Sequence, residues 1–220
     1  MTANTNEQAR FNMIEQQIRP WEVMDPQVLQ LMGSMPRDAF VPDAYQGLAY
    51  ADIEIPLGNG QSMLSPKIEG RLLQALNIQS GDRVLEIGTG SGYLTACMAK
   101  LAGKVLSLDT ENEFITHAQA RLDGQGITNI ELRCADGLAE DIEDGAFDAI
   151  AVTGSVPVIP EKLKRMLTVG GRLFAVTGEA LPMEAVLVTR TDAESWHSKS
   201  LFETELKPLN GVPTVEHFSF

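Results

Sequence analysis

Three glycines alternate at Gly88, Gly90 and Gly92, directly after the short run Val84 to Ile87. Glu86 stands two residues before the first of them, and Asp109 closes the next apolar run, Lys104 to Leu108. A short β-branched and aliphatic run reads as a buried parallel strand. Glycines carry no Cβ, so the chain can turn tightly after that strand and bring its backbone close to a ligand. An acid about 20 residues further on stands where a doubly wound sheet grips a ribose by its hydroxyls. These residue types at these spacings predict a nucleoside-containing cofactor at the carboxyl end of the strand. The competing reading is an ordinary glycine-rich turn with a solvated Asp109.

The dinucleotide fingerprint needs a third glycine where Tyr93 stands, which argues against NAD. No G-x-x-x-x-G-K-[ST] run suggests a triphosphate site. Glu86 suits a ligand that carries positive charge. S-adenosylmethionine carries an ammonium and a sulfonium and no phosphate. An acid followed by G-x-G-x-G resembles the pattern of the Rossmann-like methyltransferases. That resemblance assigns Glu86, Gly88, Thr89, Gly90, Gly92 and Asp109 to the cofactor.

These residues need a scaffold. Ser65-Pro66 reads as an N-cap with Pro at N1, opening a helix whose Ile68, Leu72, Leu73 and Leu76 share one face. Helices are predicted at 7–20 and 26–35, the second capped by Asp25-Pro26 and stopped by Pro36. Residues 52–64 read as an ordered loop. Regular alternation follows: strand 83–87, helix 92–102, strand 104–108, helix 111–123, strands 129–134 and 147–152. A short helix at 160–167, ended by Gly170-Gly171, leads to a strand at 172–176. Late strands at 183–190 and 196–206 look like an antiparallel edge pair. Such alternation means βαβ units, here an α/β, doubly wound, mostly parallel sheet with an N-terminal helical cap. One domain is expected: cap and substrate loop over 1–80, cofactor-binding sheet over 81–220.

Ligands of such sheets bind outside the carboxyl ends of the strands. Asp136-Gly137 follows the strand at 129–134, and the carboxylate there can accept from an adenine amino group. Thr153-Gly154-Ser155 follows the next strand and is expected across from the reactive methyl. Cys97 and Cys134 have no metal spacing and read as small buried hydrophobes. No metal is expected. His117, His197 and His217 read as surface residues, since a lone His without a partner is no dyad. Of the nine Met residues, Met13, Met24, Met32, Met35 and Met63 fall early in the chain and read as core filler rather than an adaptable surface.

Composition bounds the rest. The 220 residues are 44% hydrophobic and 21% charged, enough for a sizeable core. Seventeen Lys+Arg against 30 Asp+Glu give a net charge of −13. That balance repels phosphate backbones and makes nucleic acid an unsuitable substrate; the acidity itself reads as plain solubility. The first ten residues lack an apolar signal core, and no run reaches a membrane span. A cytoplasmic enzyme with no membrane partner is the expectation.

With the order of elements in hand, the chain resembles the protein-L-isoaspartate (D-aspartate) O-methyltransferase family from about Met13 to Gly211. The resemblance is carried by Arg37-Asp38-Ala39-Phe40-Val41-Pro42, by Pro56-Leu57-Gly58-Asn59-Gly60-Gln61 and by Val84 to Tyr93. Phe147-Asp148-Ala149-Ile150, Val156-Pro157-Val158-Ile159-Pro160 and Gly170-Gly171-Arg172-Leu173 add to it. It implies S-adenosylmethionine as cofactor and methylation of the α-carboxylate of isoaspartyl residues in damaged proteins and peptides.

The family's acceptor loop typically runs G-x-G-x-T-[IV]-S-x-P. Here it reads Gly58 to Pro66: Ser62 keeps the first hydroxyl, Leu64 stands where the second belongs, and Ser65 offers one a residue later. Ser62 and Ser65 are therefore the candidate catalytic residues, with Ser65 also the expected N-cap. Leu206-Lys207-Pro208-Leu209-Asn210-Gly211 matches only part of the family's apolar run before Pro-Leu. A carboxylate acceptor with pKa near 4 is already ionised at pH 7, so no general base is called for. Three readings stay open: an isoaspartyl methyltransferase, a methyltransferase of this fold with another carboxylate or small-molecule acceptor, and a cofactor-binding module without catalysis.

Overall fold

The computed structural model describes residues 3–212 of the chain. His217 lies outside them. Helix α1 (Ala3–Met13) continues through a widened turn at Ile14–Ile18 into a tight turn at Arg19–Trp21. Pro20 explains why the predicted 7–20 helix ends irregularly: it has no N–H to give, and its ring crowds the carbonyl one turn back. Helix α2 (Pro26–Ser34) begins as expected, with Asp25 Oδ1 accepting from Gln27 N at 2.8 Å. The predicted 52–64 loop is instead a small hairpin, β1 (Ile55–Gly58) and β2 (Gln61–Met63), turning through Asn59 and Gly60 at φ 51° and 76°. Those paired left-handed residues are what a two-residue hairpin turn requires.

Helix α3 (Pro66–Leu76) buries Ile68, Leu72, Leu73 and Leu76, as its spacing predicts. Then come β3 (Arg83–Ile87), α4 (Tyr93–Leu101), β4 (Lys104–Asp109), α5 (Asn112–Gly124), β5 (Ile130–Cys134) and β6 (Phe147–Val156). Helix α6 (Glu161–Arg165) leads to β7 (Leu167–Thr177), β8 (Met183–Asp192) and β9 (Ser195–Thr204). Two boundaries differ from expectation. Strand β6 runs four residues past the predicted end, through Thr153-Gly154-Ser155. Strand β7 starts before Gly170-Gly171 and carries both glycines within it, Gly170 at φ 86°.

The seven-stranded sheet has the order β5-β4-β3-β6-β7-β8-β9. β5, β4, β3, β6 and β7 pair in parallel, and β8 and β9 form the antiparallel edge. The two faces follow the two-residue period of a strand. Val84, Val105, Ala149 and Phe174 join the apolar cluster that also holds Met13, Ile18, Met32 and Phe40 of the N-terminal segment. Their neighbours Leu85, Leu106, Ile150 and Leu173 face the other cluster, with Leu163 of α6. One side of the sheet and the helical cap therefore share one apolar interior. Met13, Met32, Met35 and Met63 are buried in it, while Met24 is exposed. Cys97 is buried as expected; Cys134 is exposed, because it ends an edge strand of the sheet rather than a central one.

Candidate active site

Strand order reverses between β3 and β6, since β3 continues to β4 on one side while β6 continues to β7 on the other. A crevice opens beyond the carboxyl ends of strands at such a point. Here it is a cleft lined by the loop after β3, the ends of β4 and β6, the β1–β2 hairpin and the chain at 206–210.

The glycine loop is held from three sides. Gly88 has φ 99°, and a Cβ on it would stand 2.1 Å from Thr153 Oγ1. Gly90 N donates to Asp109 Oδ2 at 2.9 Å, and Asp109 Oδ1 accepts from Glu111 N at 3.0 Å. The acid expected to meet a ribose thus also ties the loop to β4, each oxygen keeping a lone pair for a further donor. Gly92 does not line the cleft. It opens α4 at φ 83°, and a Cβ there would meet Ala118 Cβ at 3.0 Å, so its place is helix packing.

Glu86 is fully buried at the floor of the cleft. Its Oε2 accepts from Ser107 Oγ at 2.5 Å and from Thr95 Oγ1. Thr89 Oγ1 lies 2.6 Å from Ser107 Oγ, which places Thr89 in the network behind Glu86. Among the described residues Glu86 Oε1 has no partner. Burial pushes the carboxyl up to about 8, against the pull of the Ser107 and Thr95 hydrogen bonds and with a further push from Asp109.

Asp136 and Gly137 line the opposite wall. Asp136 Oδ1 accepts from Leu138 N at 2.9 Å, and a Cβ on Gly137 would stand 2.8 Å from Ile87 Cγ2. Thr153 lines the cleft beside the glycine loop. Its hydroxyl lies 2.8 Å from Gly88 O and 2.9 Å from Ile87 O, so it buttresses the glycine loop. Ser155 turns away to the C-terminal segment, donating to Leu206 O at 2.9 Å.

Ser62 and Leu64 line the cleft; Ser65 does not. Ser65 holds the N-cap position of α3 by its backbone, and its side chain makes no capping bond. Asp52 pairs with Lys67 at 2.8 Å, a structural contact outside the cleft.

Three groups in or behind the wall of the cleft have no local signature in the sequence. Arg37 is fully buried, donating to Ala49 O at 2.8 Å, to Leu64 O at 2.7 Å and to Glu69, with its guanidinium 4.9 Å from the Tyr93 ring centroid. Burial raises the Glu69 carboxyl to about 7, Arg37 pulling it back. Asn210 accepts from Gln61 Nε2 at 2.7 Å, and Lys207 Nζ reaches Ser62 Oγ. Among the described residues no group of His, Cys, Asp and Glu could hold a metal, and no helix is long and apolar enough to cross a membrane.

The family model for protein-L-isoaspartate(D-aspartate) O-methyltransferases matches residues 8–212. A protein-L-isoaspartate O-methyltransferase of Magnetococcus marinus is 40% identical over 189 residues, 86% of this chain and 83% of its own. Protein-L-isoaspartate O-methyltransferase 1 of Rhodopseudomonas palustris is 37% identical over 203 residues, 92% of this chain and 83% of its own. A solved Plasmodium falciparum structure, described as a protein-L-isoaspartate O-methyltransferase with S-adenosyl-L-homocysteine, aligns with TM-score 0.77 over 93% of this chain and 98% of its own. At 21% identity that likeness is one of fold.

Proposed function

The chain belongs to the protein-L-isoaspartate(D-aspartate) O-methyltransferase family, and on that premise we propose that it moves the methyl of S-adenosylmethionine to the α-carboxylate of isoaspartyl residues in proteins and peptides. The observation that carries the reading is Glu86. A buried carboxyl with one unpartnered oxygen, at the floor of a cleft rich in acids, fits an ammonium and rejects a phosphate. Asp109 would accept from ribose hydroxyls, Asp136 from the adenine amino group, and Gly88 and Gly90 leave the backbone bare beside the ligand. Bound there, S-adenosylmethionine supplies an electrophilic methyl on sulfur. We read residues 1–80 as the cap and acceptor loop of the same single domain whose 81–220 portion holds the cofactor.

The protein's own part is to hold and orient. An acceptor carboxylate is ionised at neutral pH, so no proton has to be removed before it attacks. That matches a cleft lined by no His or Cys among the described residues. Ser62 can donate to one carboxylate oxygen and leave the other to react. Alignment of this kind is a large source of rate in a bimolecular transfer.

Methyl-labelled S-adenosylmethionine and a peptide with one isoaspartyl residue test the reading. Base-labile ester is expected on that peptide and not on its normal aspartyl counterpart. Saturable cofactor binding without ester would instead point to another acceptor, the reading that Leu64 in the acceptor loop favours.

Glu86 makes binding pH-dependent. In the free protein its carboxyl is raised from 4.5 to about 8, so across that window the folded chain keeps a proton that the unfolded chain releases. Glu86 therefore costs stability as pH rises through the window. A ligand ammonium favours the carboxylate, so affinity for S-adenosylhomocysteine is expected to tighten from pH 6 to 8, by up to about tenfold per unit. Calorimetric titration of Glu86→Gln is expected to show a flatter profile over that range. An equally steep profile in the variant would assign the effect to another group, Glu69 being a second raised acid at the cleft.

A further inference from the structure

Five acids line the cleft: Glu54, Glu69, Glu86, Asp109 and Asp136. Among the described residues that line it, one cation stands with them, Lys207. Of the described residues lining the cleft, that ammonium is the one that attracts an anionic acceptor.

Lys207 is held in place by its backbone. Ser155 N donates to Lys207 O at 2.8 Å, Ser155 Oγ donates to Leu206 O at 2.9 Å, and Leu209 N donates back to Ser155 O at 3.0 Å. The end of β6 thus grips the chain on both sides of Lys207. From that fixed base the side chain crosses to the acceptor loop, where Nζ donates to Gly60 O and to Ser62 Oγ, each at 2.9 Å. Among the described residues no carboxylate forms an ion pair with it.

Donor counting shows what remains available. An ammonium has three N–H donors and no lone pair, so two used bonds leave one N–H. A hydroxyl that receives a hydrogen bond still owns its proton. Ser62 Oγ receives from Lys207, and among the described residues its proton has no acceptor. Two donors on atoms 2.9 Å apart are therefore left at the mouth of the cleft. A carboxylate has two oxygens, one for each donor, and a bond from a charged donor is roughly twice as strong as a neutral one. Leu64, two residues further along the same loop, presents an aliphatic side chain to the cleft and offers no such donor.

We propose that Lys207 and Ser62 together form the anchor for the acceptor's carboxylate, Lys207 supplying the donor that the loop lacks at Leu64 and selecting an anionic acceptor. The inference rests on reading the cleft as an isoaspartyl methyltransferase site. Lys207 is a specificity-determining residue here, acting on the acceptor and not on the cofactor.

Steady-state kinetics on an isoaspartyl peptide test it. Lys207→Met keeps the stem and removes the charge on an exposed side chain, so folding is not at stake. Its KM for the peptide is expected to rise by about tenfold or more, while its affinity for S-adenosylhomocysteine in calorimetry stays that of the parent. Lys207→Arg is expected to recover most of the loss. Added salt is expected to raise the parent's KM and leave that of Lys207→Met nearly unchanged. An unchanged KM in Lys207→Met, with the parent active, would overturn the inference alone. Equal loss of kcat, KM and cofactor affinity in both variants would also overturn it, making Lys207 a prop for the hairpin. No ester from the parent would overturn the reading of the cleft, and the inference with it.

Discussion

Gly88→Ala is expected to lose cofactor binding and several degrees of thermal stability together. Gly88 sits at φ 99°, a region that L side chains enter only with strain of about 1–3 kcal/mol. Its added Cβ would stand 2.1 Å from Thr153 Oγ1 and 3.6 Å from Leu209 Cδ2. Thr153 cannot simply rotate away, because its hydroxyl is bonded to the carbonyls of Ile87 and Gly88 themselves. Leu209 is fixed to Ser155 by its own N–H. Overpacking of this kind adds about 1–3 kcal/mol. The sum, roughly 2–6 kcal/mol, corresponds to a fall in Tm of roughly 5–20 °C for a chain this long. Gly90→Ala is the control. Gly90 lies at φ 50°, near the ordinary left-handed well, and its Cβ would meet only the Leu57 side chain at 3.2 Å. Scanning calorimetry with and without S-adenosylhomocysteine should therefore rank Gly88→Ala well below Gly90→Ala. Parent-like affinity and Tm in Gly88→Ala would show that the loop does not cradle the ligand.

That contrast marks what could be read from the sequence. The glycine loop, Asp109 and the parallel strands are local patterns, a few residues long, and each was visible as a period or a spacing. The two faces of the sheet follow directly from alternation along Val84-Leu85 and Val105-Leu106. The hairpin at 55–63 was read as a loop although Asn59-Gly60 is a turn signal, because its strands are only four and three residues long, too short for alternation to register. Thr153-Gly154-Ser155 has the composition of a turn, yet pairing of β6 with β7 and the bridge from Ser155 to Pro208 keep it extended. Tertiary pairing overrides propensity there.

The acceptor side of the cleft was hidden for a different reason. Gln61 meets Asn210 across 149 residues, and Lys207 meets Ser62 across 145. No periodicity links such partners. Glu86 was legible as an acid and not as a buried one, since its setting depends on Thr95 of α4 and Ser107 of β4, which bond to it, and on Thr89 of the glycine loop, which bonds to Ser107. The acid at the floor, Glu86, and the cation Lys207 come from β3 and the C-terminal segment, and their sharing one cleft becomes visible only when both are in place.

Arg37→Met is expected to cost about 3–5 kcal/mol, the usual loss when one partner of a buried ion pair is removed. Arg37 is fully buried and reaches residues 12, 27 and 32 positions away: Ala49 O, Leu64 O and Glu69. Methionine keeps the stem volume, so the loss is one of charge and hydrogen bonds. With the guanidinium gone, burial alone acts on Glu69 and lifts its carboxyl further above the value near 7 that it holds in the parent. The variant keeps that proton to higher pH while the unfolded chain releases it near 4.5. Its stability deficit therefore grows as pH rises through and above 7. Denaturant unfolding at pH 6 and pH 8 checks both the size and the sign. Arg37→Met/Glu69→Met removes the stranded acid and is expected to recover most of the stability, because apolar replacement of a buried pair is often neutral. It does not recover the donor to Leu64 O, so the acceptor loop stays slack and the KM for an isoaspartyl peptide stays raised. A double variant that regains stability and parent-like KM together would detach the loop from Arg37. A single variant losing less than about 1 kcal/mol would place the pair outside the load of the fold.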